Sequence, residues 1–132
     1  MDTVFLDACV LFSAAYRPKP KLVKLWQLPE VRLISSPYAA GEAARNIEGP
    51  EQPERLKELL QEVELVNAML PEGALPEGVE LPEKAAPILR GAIAANASHL
   101  LTSDWKHFGR YYWQVIEGLT ILPPAAYLKG KD

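Results

Sequence analysis

Three acidic residues are the side chains of this sequence best suited to chemistry. Asp7 follows the apolar run 3–6, and Asp104 follows a second apolar run at 99–103. In parallel α/β sheets ligands bind beyond the carboxyl ends of the strands, so two acids on neighbouring strands would converge on one crevice. Their combined negative potential favours a hard cation with oxygen ligands, and we expect Mg²⁺ or Mn²⁺.

Glu42 is the third acid, and it lies among alanines and a glycine in a helix predicted over 37–47. Small neighbours let another element approach closely, so Glu42 can join Asp7 and Asp104. The alternative for Glu42 is a solvated side chain paired with Arg45 three residues on, worth ~0.2–0.5 kcal/mol. The alternative for the two aspartates is an ordinary helix N-cap.

Apolar runs alternate with helical patterns along the whole chain. Strands are predicted at 3–6, 31–34, 64–66, 99–103 and 119–122. Helices are predicted at 8–15, 22–26, 37–47, 54–62 and 85–95, with a short helix ending at 128. This alternation is typical of a parallel sheet covered by helices on both faces. We expect an α/β protein with three layers, α/β/α, and a central, mostly parallel sheet of four to five strands.

Length and composition narrow the class of protein. The 132 residues are 48% hydrophobic with a net charge of -3, which predicts a single domain over 1–132 that does not coat nucleic acid non-specifically. The one cysteine, Cys9, excludes an internal disulfide and a cysteine zinc site. We expect a cytoplasmic protein, because no apolar stretch reaches the ~18–20 residues of a membrane span and Met1-Asp2-Thr3 lacks a basic signal region.

Four segments together resemble the ordered motifs of a PIN domain, as found in the VapC-like toxins of bacterial toxin–antitoxin pairs. They are Val4 to Ser13, Ser36-Pro37-Tyr38 leading to Glu42, Leu81 to Leu89, and Leu100 to Asp104. The resemblance implies a metal-dependent ribonuclease with an acidic quartet around Mg²⁺ or Mn²⁺. Asp7 matches the first acid, Glu42 the second and Asp104 the fourth. Thr102 and Ser103 match the hydroxyl-bearing stretch before the fourth acid.

The sequence departs from that pattern at two positions. Ala85 stands where similar proteins carry the third acid, and Cys9 stands where they carry an asparagine. Metal-assisted hydrolysis needs carboxylates that hold the ion, so the missing ligand predicts weak or absent turnover. Glu83 is near in sequence, but Pro82 should turn it elsewhere. A deliberate substitution and a natural loss of the ligand both remain open explanations of Ala85.

Basic and aromatic residues mark candidate contacts with RNA. The candidates are Arg17, Lys19, Arg45, Lys106, His107 and Arg110. The stretch around Arg17 and Lys19 follows the helix that leaves Asp7 and is either a flank of the same crevice or a solvated surface. Residues 105–113 interleave aromatic and basic side chains, which is typical either of a platform for unpaired bases or of core packing.

A second function stays open beside the ribonuclease. A catalytically inactive PIN-fold module that binds RNA or a protein partner would have the same sequence features. A cognate antitoxin and a homodimer are implied by the resemblance only. A nucleotide-binding domain or a small-molecule phosphatase is disfavoured, because GxGxxG, GxxxxGK[ST] and a second aspartate two residues after Asp7 are all missing.

Overall fold

Within residues 1–18, 20–67, 71 and 75–131, which this computed structural model describes, six strands form one sheet. They are β1 Asp2–Leu6, β2 Val31–Ser35, β3 Glu64–Leu65, β4 His99–Leu101, β5 Val115–Ile116 and β6 Leu119–Leu122. Their order across the sheet is β3-β2-β1-β4-β6-β5. All neighbouring pairs are parallel except β5 and β6, which are antiparallel.

Helices follow the strands and cover both faces of the sheet. They are α1 Ala8–Tyr16, α2 Pro20–Val23, α3 Pro37–Asn46, α4 Gln52–Leu60, α5 Ala86–Ala94, α6 Trp105–Phe108 and α7 Pro124–Lys129. Short 3₁₀ helices occupy Lys24–Gln27 and Gly109–Tyr111. In the described part of the chain, no helix is both long and apolar enough to cross a membrane.

The sheet separates two apolar cores, because side chains alternate between the faces of a strand. Val4 and Leu6 of β1 pack into one core with residues of α1, α4 and α7. Phe5 points to the other face and packs with residues of α5 and α6. Helix α3 contributes to both cores, through Ala43 on one side and Ala39 on the other. The molecule therefore has three layers, helix on sheet on helix.

This architecture confirms the α/β fold class and the mostly parallel sheet expected from the sequence. The five predicted strands are present, with bounds that differ by up to two residues. The sheet has one strand more than the four to five expected, because β5 has only two residues, too few to show an alternating pattern.

The chain order creates a switch point between β1 and β4. From β1 the chain proceeds outward to β2 and β3, and it then returns to place β4 on the other side of β1. Loops leaving β1 and β4 therefore diverge at their carboxyl ends, which is where open α/β sheets bind ligands. Leu6 is paired with Leu101 there, and the Asp7 N–H donates to the Leu101 carbonyl at 3.1 Å.

We expect Ser36→Ala to destabilise the fold by about 1 kcal/mol, the usual cost of losing a helix N-cap. The Ser36 hydroxyl accepts from the Ala39 N–H at 3.1 Å and thereby fixes the start of α3. Urea denaturation measures the change in the free energy of unfolding. Ser103→Ala is the matched control, because Ser103 is exposed and caps no helix: α6 is capped by Asp104. Equal stability of the two variants would contradict the capping role.

Candidate active site

A cavity of about 620 Å³ opens at the carboxyl edge of the sheet, beside the switch point. We call it the acidic cavity; its lining includes Asp7, Cys9, Glu42, Ala85, Asp104 and His107. The three predicted acids and Ala85, the position of the missing third acid, therefore share one cavity, although they come from four separate segments of the chain.

Asp7 is the most deeply placed acid of the acidic cavity, with only 6% of its surface exposed. As the N-cap of α1 it accepts from the Ala8 N–H at 2.6 Å through Oδ1. Its Oδ2 accepts from the Thr102 hydroxyl at 2.7 Å. Burial raises the pKa of the Asp7 carboxyl, and the negative charge of Asp104 adds to that rise.

Thr102 joins the two aspartates through a single hydroxyl. It is fully buried, and while its Oγ1 donates to Asp7 it also accepts from the Asp104 N–H at 3.1 Å. Ser103 is exposed, and its N–H donates to the Cys9 sulfur at 3.4 Å. The hydroxyl-bearing stretch thus contributes one side chain, Thr102, and one backbone N–H, that of Ser103.

Asp104 caps α6 and is at the same time tied to a histidine. Its Oδ1 accepts from the His107 N–H at 3.4 Å, and its Oδ2 lies 2.8 Å from Nδ1 of the same residue. The Asp104 side chain is about one-third exposed, so it faces the acidic cavity more openly than Asp7. Capping a helix and lining the cavity were alternatives for the two aspartates, and both are observed. Each aspartate caps a helix with one oxygen and also lines the cavity.

Glu42 reaches the acidic cavity from the middle of α3. Its alternative, a salt bridge with Arg45, is not formed in the described part of the structure. Arg45 is exposed and its guanidinium lies back along α3, where a Cβ at Gly41 would stand 3.5 Å from Nη1. Buried Ala39 and Ala43 let α3 pack closely, which brings Glu42 to the cavity edge.

Ala85 occupies the N-cap position of α5 and is 5% exposed. An alanine is tolerated there because few backbone N–H groups of the first turn lack a hydrogen-bond acceptor. The Ala86 N–H already donates to the Pro82 carbonyl at 3.0 Å, and Pro87 has no N–H. The side of the cavity where the third acid was expected is therefore apolar.

Three features of the acidic cavity were not predicted from the sequence. The Cys9 sulfur lies 3.5 Å from Asp7 Oδ2, and burial raises the pKa of that thiol. The Tyr112 hydroxyl donates to the Thr102 carbonyl at 2.7 Å, and burial raises the pKa of that phenol to about 12. Lys84 also lines the cavity. Only Cys9 had a signal, its position two residues after Asp7 in the first turn of a predicted helix.

The candidate RNA contacts lie at different distances from the acidic cavity. Arg17 follows the last residue of α1, a nine-residue helix that begins beside Asp7, so ~14 Å of helix separates them. Helix α1 carries the chain away from Asp7, and contact of the exposed Arg17 with RNA stays a prediction. Lys19 lies outside the described residues. Lys106 and Arg110 are exposed just beyond Asp104, where contact with RNA remains a prediction.

The donor atoms of the acidic cavity fit a divalent cation in a limited way. Carboxylate oxygens are the ligands that Mg²⁺ prefers, and it is often held by one or two of them with water and phosphate completing its shell. Within the described residues, no three His, Cys, Asp or Glu side chains come close enough to hold one ion together. Asp7 is turned to Thr102 and Asp104 to His107, and Ala85 offers no oxygen. A single ion held by Asp7, Glu42 and Asp104 therefore stays a prediction.

Comparison with solved structures finds similarity to a chain in the 2.2 Å resolution structure of VapBC-1 from nontypeable Haemophilus influenzae. The two chains are 23% identical with a TM-score of 0.58, and the match covers 93% of this chain and 98% of the other. The fold is PIN-like. At this identity the likeness extends to the fold alone. No protein-family model and no curated protein matches the sequence.

The raised pKa of Asp7 predicts a distinct pH dependence of stability. In the folded protein the pKa of the Asp7 carboxyl is raised above its ordinary value of 3.8. Ionised Asp7 therefore lowers the free energy of unfolding, and this penalty grows as pH rises above 3.8. Asp7→Asn should therefore gain stability relative to the parent as pH rises above about 3.8, the ordinary pKa of this carboxyl. Urea denaturation in a chelating buffer measures the difference.

Asp2→Asn is the control of opposite sign. The hydrogen bond from the Tyr127 hydroxyl lowers the pKa of Asp2, so its contribution is present above 3.8 and lost as pH falls through the folded value. Asp2→Asn should cost most stability at neutral pH. A loss for Asp7→Asn that grows with pH in the same way would contradict the assignment of a penalty to buried Asp7.

Proposed function

We propose that the protein is a metal-dependent ribonuclease with weak turnover, which hydrolyses RNA phosphodiester bonds in the acidic cavity. One observation carries the proposal: Asp7, Glu42 and Asp104 line a single cavity at the switch point of a PIN-like sheet. The PIN-like fold and its likeness to the VapBC-1 structure support the same activity.

The roles follow from how each acid is placed. Asp7 and Asp104 would hold the cation, because they lie at neighbouring strand ends and the Thr102 hydroxyl links the Asp7 carboxylate to the Asp104 backbone N–H. Glu42, on the opposing helix, either binds the cation or orients the attacking water. Bound Mg²⁺ or Mn²⁺ lowers the pKa of water and neutralises developing charge on phosphate. His107 holds the Asp104 carboxylate in its orientation.

A catalytically inactive RNA- or protein-binding module is the second candidate. The absence, among described residues, of three side chains placed to hold one metal ion favours it. The apolar surface at Ala85 favours it as well, since the third acidic ligand is missing there. In this case the acidic cavity would be a remnant, and the binding surfaces around it would be the working parts.

The likeness to the VapBC-1 structure also suggests partners. We propose a cytoplasmic toxin that pairs with a cognate antitoxin protein and that forms a homodimer. Both partners rest on the resemblance of the fold, and the acidic cavity would be the natural place for an antitoxin to act by covering it.

Restoring the third acid should raise activity. We expect Ala85→Asp to cleave single-stranded RNA with Mn²⁺ at least about tenfold faster than the parent, equivalent to ~1.4 kcal/mol of transition-state stabilisation. The physical reason is an added carboxylate at a position that already lines the cavity. A gel assay with labelled RNA measures the rate, and Ala85→Asn is a control of the same size without the charge. Cleavage by Ala85→Asp no faster than by the parent would contradict the nuclease proposal.

Binding of Mn²⁺ separates the two candidate functions. The ribonuclease proposal predicts that the parent binds Mn²⁺ weakly and that Asp7→Asn abolishes this binding, since a carboxylate ligand is replaced by an amide. Isothermal titration calorimetry measures both. Glu83→Gln is the control, because Glu83 is an exposed acid outside the cavity lining. Binding that persists in Asp7→Asn, or no binding in the parent, would favour the inactive module.

A further inference from the structure

The aromatic residues that follow Asp104 fall into two groups in the structure. Phe108 and Tyr111 are buried in the core on the α5 face of the sheet and anchor the segment. Trp105 and Trp113, in contrast, are 75% and 69% exposed. Core packing accounts for the first group. It does not account for the two tryptophans, because burying a large aromatic ring stabilises the fold and these two rings stay in water.

Trp113 is held in a backbone conformation that a bulky residue rarely adopts. Its φ is +70°, in the left-handed region that favours glycine. The position is fixed by the Trp113 N–H, which donates to the Ile121 carbonyl at 2.8 Å. Such strain is held by the surrounding structure and clusters at functional sites, and here it carries a side chain that faces water.

Two cations accompany the exposed tryptophans. Lys106 and Arg110 are exposed, and within the described residues neither forms a salt bridge. The Arg110 guanidinium lies 5.4 Å from the centre of the Tyr111 ring, which orients it. In a chain of net charge -3, positive side chains interleaved with exposed indoles form a surface suited to a polyanion with flat rings.

This segment is attached directly to the acidic cavity. Trp105 follows Asp104 in the first turn of α6, and the hydrogen bond from the Tyr112 hydroxyl to the Thr102 carbonyl ties the far end to β4. We propose that Trp105 and Trp113 are stacking sites for unpaired bases of a single-stranded RNA. Lys106 and Arg110 meet its phosphates. The inference rests on the proposed function only for the choice of RNA as the strand.

The test is binding without cleavage. A fluorescein-labelled oligouridylate of about 12 nucleotides, within the site sizes of single-strand binders, is titrated with the full chain in EDTA and followed by anisotropy. Trp105→Ala and Trp113→Ala should each weaken binding by about 5- to 150-fold, the range that loss of one stacked base gives. Trp105→Phe should recover part of the affinity. A duplex of the same length should bind more weakly than the single strand.

Trp26→Phe is the matched control, because Trp26 is half-buried and donates to the Leu59 carbonyl of α4. It should bind as the parent does. Trp113→Gly adds a check on folding: removing a side chain from a left-handed position should leave the melting temperature at or above that of the parent while affinity falls.

Three results would overturn the inference. The parent could fail to bind the oligonucleotide, both alanine variants could bind it with the affinity of the parent, or the parent could bind the duplex as tightly as the single strand. Dimerisation that is lost in the two variants, without RNA binding, would assign the surface to a second copy of the chain instead. The binding assay excludes divalent cations and measures no cleavage. A failure of RNA cleavage with Mn²⁺ would therefore contradict the proposed function without changing the outcome of the binding assay.

Discussion

The arrangement of the acidic cavity depends on the hydroxyl of Thr102. This one group donates to the Asp7 carboxylate and accepts from the Asp104 backbone N–H, and it is completely buried while doing so. Parallel pairing of β1 with β4 brings the two strand ends together, and the hydroxyl then links the Asp7 carboxylate to the backbone of Asp104. Without that pairing the acids would belong to unrelated loops 97 positions apart.

A buried acid beside a second carboxylate, as Asp7 is beside Asp104, is a cost to the fold, and the structure limits that cost in three ways. Hydrogen bonds from Ala8 and Thr102 solvate Asp7, and His107 lies against Asp104. Ala85 removes a further negative charge from the same cavity. The remaining penalty is retained at Asp7, which is typical of functional sites, where a group suited to binding or chemistry is kept at the expense of stability.

The sequence allowed prediction where a local pattern sets the structure. Strand ends located Asp7 and Asp104, and the small residues around Glu42 indicated close packing of α3. Contacts made across the fold were not predictable. The hydrogen bonds of the Thr102 hydroxyl and the contact of the Cys9 thiol with Asp7 depend on how β4 packs beside α1. His107 belongs to a four-residue helix, which is too short to show a helical period in the sequence. The position of Arg17, in contrast, follows from helix length alone and was open to prediction.

The most direct measurement of the central claim is the anomalous difference density of a crystal soaked in Mn²⁺. We expect one peak in the acidic cavity, within ~2–2.5 Å of an oxygen of Asp7 or Asp104, with water completing the coordination of the Mn²⁺ ion. A well-diffracting crystal with no peak in that cavity, or with Mn²⁺ bound only elsewhere on the protein, would contradict it.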